Sequence, residues 1–378
     1  MFGYRESVPS SDGFGGEAHT SSAGQVLPSG GSPPPLVSVC VLAGHGSAAL
    51  EACLRSLGAQ VAPPPFELLV GGNPSAEALS IVHEHFPAAP VCDTGPRLPG
   101  AARNPLIERA RGELLLFLDD DVTAPPDLLR RLAQLAAERP DVSVFGGPND
   151  TPPHSSRFQI VQGAVLSSLI GTGPVSRRYG ARHAGLADER WFTLCNLAVR
   201  RRAMLPFLNE LMCAEENALL SQLRANGEPM RYEPRLRVFH VRRPTLRSFA
   251  KQMFKYGRGR GQLLACRPQT LRAAYVIPAA LVLYLGLLPV AIALGAPTGL
   301  TLVPAALYGT VALASAVWVG WTLKRPADVL LAAALTATIH ICYGAGVLRG
   351  AVSRWRAPAE GAARWSAPEP ATDRSSSP

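Results

Sequence analysis

Three consecutive carboxylates, Asp119-Asp120-Asp121, follow directly on the run Leu114-Leu115-Leu116-Phe117-Leu118. Side by side, three acids repel one another unless a cation neutralises them. A site of few carboxylate oxygens, with room left for phosphate oxygens, suits Mg²⁺ or Mn²⁺. Residues two apart on an extended backbone share a face, so Asp119 and Asp121 point together and Asp120 points away. The chemistry on offer is a metal–diphosphate site, although a bare acidic triplet also describes a solvated turn ahead of a helix.

The elements that must position these acids are written in the apolar patterning. Five apolar residues with no polar face describe a strand buried on both sides, as inside a parallel sheet, and open α/β sheets bind ligands beyond the carboxyl ends of their strands. Upstream, residues 37–42 and 66–70 read as two more buried strands. Between them lies a helix with Leu50, Cys53, Leu54 and Leu57 on one face and Ser47 as N-cap. Residues 99–111 read as a helix that Gly112 closes with a left-handed cap. This alternation of strands and helices predicts a mostly parallel sheet with right-handed crossovers. After the acids, Pro125-Pro126-Asp127 opens a helix with Leu128, Leu129, Leu132, Leu135 and Ala136 inward. Residues 142–145 form a short strand, residues 158–170 a weakly amphipathic segment, and residues 171–185 a long Gly- and Arg-rich loop of the kind that moves at active sites.

Charge is unevenly spread along the 378 residues, which carry 37 Lys or Arg against 28 Asp or Glu. Residues 241–272 hold nine Lys or Arg and no acid. Such a block binds anionic lipid, phosphate or nucleic acid; no recognition motif supports nucleic acid, and a membrane adjoins it. Three apolar runs, residues 273–294, 299–321 and 327–348, each reach about 33 Å as helices, enough to cross a bilayer. The basic block and Lys324-Arg325 place the large N-terminal region in the cytosol. Arg349, Arg354, Arg356 and Arg364 break that rule if the third run crosses, so it is either a crossing or a re-entrant segment. The seven Cys show no CxxC or metal-ligand spacing and read as reduced thiols. The expected organisation is a disordered leader over 1–35, a catalytic domain over 36–240, a basic interfacial helix region over 241–272, membrane helices over 273–348 and a disordered tail over 349–378.

In order along the chain stand Leu54-x-Ser56-Leu57-x-x-Gln60, Gly100-Ala101-Ala102-Arg103-Asn104, Phe117-Leu118-Asp119-Asp120-Asp121-Val122, Cys195-Asn196-Leu197-Ala198-Val199-Arg200-Arg201, Glu215-Glu216-x-x-Leu219, Val238-x-His240 and Gln252-x-x-Lys255-Tyr256-Gly257-Arg258-Gly259-Arg260. Together these resemble the membrane-attached family-2 glycosyltransferases of the bacterial exopolysaccharide and cell-envelope type. No single piece is specific; their order is. The resemblance implies a GT-A fold, meaning a mixed, mostly parallel sheet flanked by helices, followed by about three transmembrane helices. It implies an inverting, metal-dependent glycosyltransferase at the cytoplasmic face of a bacterial inner membrane, moving sugar from a nucleotide-sugar donor to a lipid-linked or polysaccharide acceptor, among membrane lipids and envelope-glycan assembly proteins.

By the same resemblance, Asp121, Asp119 and His240 are metal ligands for Mg²⁺ or Mn²⁺. Substrate contacts fall to Arg103, Asn104, Asp119, Asp120, Asn196, Gln252, Lys255 and Tyr256. Glu216, with Glu215 beside it, takes the place of the base that accepts the acceptor's hydroxyl proton, a role that burial and a like-charged neighbour favour by raising a carboxyl pKa. Which of the two acts stays open. Residues 247–258 also describe an amphipathic helix lying on the bilayer, with Phe249, Met253, Phe254 and Tyr256 embedded and Arg247, Lys251, Lys255 and Arg258 at headgroups. One departure matters: residues 66–70 run into Gly71-Gly72-Asn73 where the family places an Asp for the nucleobase. It motivates an alternative, a catalytically silent relative serving as a membrane partner in envelope-glycan assembly.

Overall fold

The computed structural model describes residues 35–355 apart from residues 45, 181–182 and 267. The expected leader, but for Pro35, and the expected tail beyond Trp355 lie outside the described residues. In chain order the elements are β1 (Val37–Ala43), α1 (Ala48–Gly58), β2 (Phe66–Gly72), α2 (Ala76–His85), β3 (Val91–Asp93), α3 (Pro99–Arg109), β4 (Leu114–Asp119), β5 (Val122–Thr123), α4 (Leu128–Glu138), β6 (Val144–Gly146) and β7 (Asn149–Asp150). There follow α5 (Arg157–Leu166), α6 (Leu169–Thr172), β8 (Gly185–Leu186), β9 (Asn196–Arg200), α7 (Glu215–Ala225), β10 (Met230–Tyr232), β11 (Val238–His240), α8 (Leu246–Cys266), α9 (Ala273–Ala293), α10 (Thr298–Thr322) and α11 (Asp328–Trp355).

Eight strands form the main sheet in the order β3-β2-β1-β4-β9-β6-β10-β8. The pairs β3–β2, β2–β1 and β1–β4 are parallel, and β9 runs antiparallel between β4 and β6. The fold is therefore the mixed α/β sheet that the resemblance implies, with the parallel pairs where the patterning predicts them. The central strand β4 is buried on both faces and divides the core. Leu114, Leu116 and Leu118 pack with Leu50, Leu54 and Leu57 of α1 and Leu129 and Leu132 of α4. Leu115 and Phe117 face Leu106 of α3 and Leu219, Leu220 and Leu223 of α7. Parity then carries Asp119 onto the α3–α7 side. Ser47 caps α1 by accepting from Leu50 N, as the sequence predicts.

Gly112 is not a left-handed cap. The helix stops at Arg109, and Gly112 is absent from the residues of positive φ. Its requirement is steric: a Cβ there would lie 2.5 Å from Ser38 N, and its own N–H donates to Ser38 Oγ at 2.8 Å. Gly72 does need its positive φ of 113°, where a Cβ would stand 2.6 Å from the Ala43 carbonyl oxygen. The glycines that replace the expected acid thus let β2 pass close to the end of β1.

The segment expected as one amphipathic stretch breaks after Leu166, and Ser168 restarts the chain by accepting from Gly171 N at 2.9 Å. The two pieces, Arg157–Leu166 and Leu169–Tyr179, meet at 72°. Most of the expected long loop is consequently helical: α6 runs straight into a 3₁₀ helix over Gly173–Tyr179.

Among the described residues, three helices are long and apolar enough to cross a membrane: Ala273–Ala293, Thr298–Thr322 and Asp328–Ser353. The last continues beyond the expected end at residue 348, as part of α11. Its first residue, Asp328, has a side chain only 6% exposed and is paired with Arg157 at the start of α5, whose Nε donates to Asp328 Oδ1 at 3.0 Å. Removing the guanidinium would strand a buried carboxylate at the head of a long apolar helix. Arg157→Ala should cost about 2–3 kcal/mol, below the ~3–5 kcal/mol of a fully buried pair because Arg157 is partly solvated. Thermal unfolding in detergent checks this, and an unchanged melt would show that water reaches Asp328.

The interfacial reading of residues 247–258 needs correction. Phe249 (0% exposed) and Met253 (4%) are not embedded in lipid but pack with Val161 and Val165 of α5 and Leu335 and Ile339 of α11. Only Phe254 and Tyr256 of the four keep substantial exposure. What draws α8 in is a glycine seam. A Cβ on Gly257 would lie 2.0 Å from the Tyr343 carbonyl oxygen and one on Gly261 2.2 Å from that of Val347; reciprocally, Gly346 and Gly350 would meet the Phe254 and Arg258 carbonyls at 2.3 and 2.0 Å. Small residues four apart on both helices let two backbones touch. The catalytic half and the last apolar helix are locked together through α8.

Candidate active site at the end of the central strand

Asp119 ends β4 on the face covered by α3 and α7, and a guanidinium from α3 ties it to the first residue of α7. Arg103 of α3 donates through Nη2 to Asp119 Oδ1 at 2.9 Å and through Nη1 to Glu215 Oε1 at 3.0 Å. One buried guanidinium thus joins the acidic triplet to the Glu pair. Glu215 is the first residue of α7, entered through Ala214, a non-glycine residue at φ 69°. Such a conformation costs about 1 kcal/mol or more and here aims the first turn of α7 at the site.

Asp121 is met from the other direction. Strand β11 pairs antiparallel with β5 in register His240↔Val122, so His240 lands beside Asp121. Its Nε2 stands 3.0 Å from Asp121 Oδ1, and Arg243 Nη2 lies 3.5 Å from Oδ2. Ligand atoms of Asp119, Asp121 and His240 all fall within 4.8 Å of one another. Two carboxylates and an imidazole converging this closely fit a divalent cation such as Mn²⁺. Asp120 points elsewhere, as its parity requires: burial, then Asp121 and Asp119, push its pKa up to about 6.

Electrostatics agree with a cation site. Burial works against ionised Asp121, but the charge and hydrogen bond of His240, with Arg243, hold its pKa below the usual carboxylate range. Burial likewise disfavours protonated His240, but Cys195 and Asp121 outweigh it and push the pKa up to about 10. A cation bound through this imidazole must displace that proton, whereas Asp121 is already ionised. Affinity for Mn²⁺ should therefore fall by up to about tenfold for each pH unit below about 10. Calorimetric titration in buffers of different ionisation enthalpy reads the released proton; release of none would remove His240 from the ligand set.

Around these groups lies a cavity of about 1290 Å³. Of the residues the sequence singles out, Arg103, Asp119, Asp120, Glu215, Glu216, His240, Gln252, Lys255 and Tyr256 line it. Three others do not: Asp121, which joins the site through its cluster with Asp119 and His240, and two residues that stand apart. Asn104 accepts from Phe207 N at 2.8 Å and donates to Phe207 O at 3.0 Å, so it clamps a loop outside the cavity. Asn196 is buried, donating to Leu236 O at 2.6 Å, and ties β9 to the turn before β11. Both spend side-chain hydrogen bonds on the fold and lie outside the wall of this cavity. Sequence reasoning gave no role to Arg178, Arg242 or Arg260, cations that also line the cavity. Arg178 donates to Glu189 O, Arg190 O and Asn217 Oδ1 and approaches Glu216 to 3.8 Å. Nothing in its Gly- and Arg-rich surroundings signals that placement. The cavity does not stop at the sheet: Pro278, Leu281 and Tyr284 of α9, Leu307 and Val311 of α10 and Ile339 of α11 continue its wall.

A mixed sheet with carboxylates at the end of its central strand, flanked by helices, is the GT-A architecture. The mannosyltransferase PcManGT from Pyrobaculum calidifontis, solved in complex with GDP-Man and Mn²⁺, superposes with a TM-score of 0.55 at 18% identity, covering 83% of this chain and 90% of that one. S. aureus TarS (residues 1–349) aligns over 60% of this chain and 65% of its own at 17% identity, with a TM-score of 0.41. Residues 38–195 match the model of Glycosyl transferase family 2. The succinoglycan biosynthesis protein ExoM of Rhizobium meliloti (strain 1021) is 26% identical over 257 residues, covering 60% of this chain and 75% of that protein. The match to family 2 is confined to residues 38–195, and the enzymatic class is glycosyl transfer.

Proposed function

We propose that the chain transfers a sugar, with inversion, from a nucleotide-sugar to a lipid-linked acceptor at the cytoplasmic face of a bacterial membrane. One observation carries this reading: Asp119 and His240 of the metal cluster, the Glu pair and the apolar flanks of α9, α10 and α11 border a single cavity. A polar reaction centre continuous with an apolar slot suits an acceptor that is half sugar and half hydrocarbon. Asp119, Asp121 and His240 would hold Mg²⁺ or Mn²⁺, which when bound stabilises negative charge on the departing diphosphate. Arg243, beside Asp121, and Lys251 and Lys255, on the cavity wall, add positive charge for the same phosphates.

Glu216 is the better base of the two. Glu215 is held by Arg103 at 3.0 Å, whereas Glu216 has Arg178 only at 3.8 Å and accepts from the Asn217 amide. Burial and the adjacent Glu216 raise the pKa of Glu215, against the opposing charge of Arg103. Negative charge is therefore costly at Glu215, and the less tightly held carboxylate, Glu216, is left to accept the proton of an attacking hydroxyl. In-line displacement at the anomeric carbon by that hydroxyl gives inversion.

Stabilisation by nucleotide tests the reading. UDP, GDP, CMP and dTDP, each with and without Mn²⁺, are compared by thermal shift on the detergent-purified chain. A ligand at a hundred times its dissociation constant should stabilise the protein by about 2.7 kcal/mol. One nucleotide acting only with metal, and not on Asp121→Ala, is the expected result. No response to any of the four, in a protein that melts cooperatively, would favour the silent-partner alternative.

A further inference from the structure

Arg260 is a cation without an anion. Its side chain lies deep in the wall of the cavity, the residue only 6% exposed, and it forms no ion pair with any described carboxylate. The guanidinium stacks 4.0 Å over the ring of Tyr275 and is within hydrogen-bonding reach of Tyr343, but Nε has no partner. Tyr275 is 4% exposed and lines the same cavity, and its hydroxyl also has no partner. Two buried donors left unsatisfied side by side, one of them charged, carry a desolvation penalty that an anionic ligand would remove.

Their place in the chain says which anion. Tyr275 is the third residue of α9, where the chain enters its first apolar helix. From there the cavity follows one side of α9 through Ile277, Pro278, Leu281 and Tyr284. Nine residues of helix descend about 13 Å. The same cavity thus joins a cationic seat at Arg260 and Tyr275 to apolar walls along α9, the pairing that a lipid headed by phosphate would need. The metal cluster is a separate seat, built from β4 and β11.

We propose that Arg260 and the Tyr275 hydroxyl bind the phosphate of a long-chain lipid phosphate or diphosphate whose hydrocarbon runs along α9 between the membrane helices. The inference rests on the lipid-linked acceptor read above and deepens it. A sugar carried on such a phosphate would extend toward Glu216, the acid within electrostatic reach of Arg260.

The test measures binding of farnesyl diphosphate to the full chain in non-ionic detergent, with EDTA present to keep the metal cluster out of play. Farnesol and inorganic diphosphate serve as the two halves of the probe. Farnesyl diphosphate should bind wild type, each half alone far more weakly. Arg260→Met, close in volume and uncharged, should weaken binding roughly 10- to 100-fold, and Tyr275→Phe by roughly 3- to 10-fold. Nucleotide binding in Mn²⁺ is retained in both and reports that they fold; should Arg260→Met fail this control, Tyr275→Phe carries the test. Equal binding by wild type and the folded variants overturns the proposal. Inorganic diphosphate as tight as farnesyl diphosphate overturns its lipid part and leaves a seat for a soluble anion. Loss of farnesyl diphosphate binding in wild type, with nucleotide binding intact, sinks this inference alone. Nucleotide binding absent, with Arg260-dependent lipid binding present, sinks the transferase reading instead.

Discussion

Glu216→Gln should slow sugar transfer by roughly 10²- to 10⁴-fold, the usual contribution of a general base, with little change in nucleotide affinity. The substitution keeps shape and the acceptor oxygen that faces Asn217 Nδ2, and removes only the capacity to take a proton. Glu215→Gln should be milder, within about tenfold, because an amide oxygen can still accept from Arg103. Steady-state turnover of both variants separates the roles. If Glu215→Gln proves the more damaging, the base is Glu215 and Arg103 sets its proton affinity; if neither slows the reaction, the pair is no more than the exposed-looking start of a helix that its sequence also describes.

Gly257→Leu should be the most destabilising single change in the membrane-proximal half, by about 3 kcal/mol or more. Its Cβ alone would sit 2.0 Å from a backbone oxygen of α11, and no rotamer relieves a contact made at Cβ. The helices would have to part, opening the cluster of Phe249, Met253, Leu335 and Ile339. Gly286 on α9 supplies the control, since a Cβ there meets nothing within 4 Å, and Gly286→Leu should stay within about 0.5 kcal/mol. Thermal unfolding in one detergent compares the two. Equal melts would mean that α8 is not locked to α11.

Local patterning made the sheet-bearing half of this protein readable. Leu114 to Asp119 announce a doubly buried strand because nothing polar interrupts them, and the period of two then separates Asp120 from Asp119 and Asp121 before any contact is known. Ser47, the inward leucines of α1 and α4 and the three apolar helices follow from equally local signals. What patterning cannot give is which distant element arrives. That Arg103 would bridge Asp119 and Glu215 depends on α3 and α7 covering one face of β4. That His240 would reach Asp121 depends on a two-residue strand, β5, too short to leave a periodic trace. The family order supplied both residues, not the contacts.

What patterning left unread has a common source. Phe249 and Met253 sit on an amphipathic pattern that lipid or protein can satisfy equally, and the choice is made by Gly257 and Gly261, which permit the approach of α11. Asn104 and Asn196 carry the family's motif, yet here spend their hydrogen bonds on Phe207 and Leu236. Arg178 and Arg260 escaped notice because a cation in a basic stretch looks like any other until burial singles it out.

The central claim is that sugar leaves a nucleotide at the Asp119–Asp121–His240 cluster and ends on a lipid-linked acceptor. Its most direct test reconstitutes the full chain in vesicles made from lipid extract of the source organism, adds a radiolabelled sugar on the nucleotide found to bind, and counts label in the organic phase. Label should enter the lipid with Mn²⁺, stay at background with EDTA, and fall at least about 100-fold in Asp121→Ala. Nucleotide binding with no label in the lipid under any condition, or transfer undiminished by EDTA and by Asp121→Ala, would contradict the account.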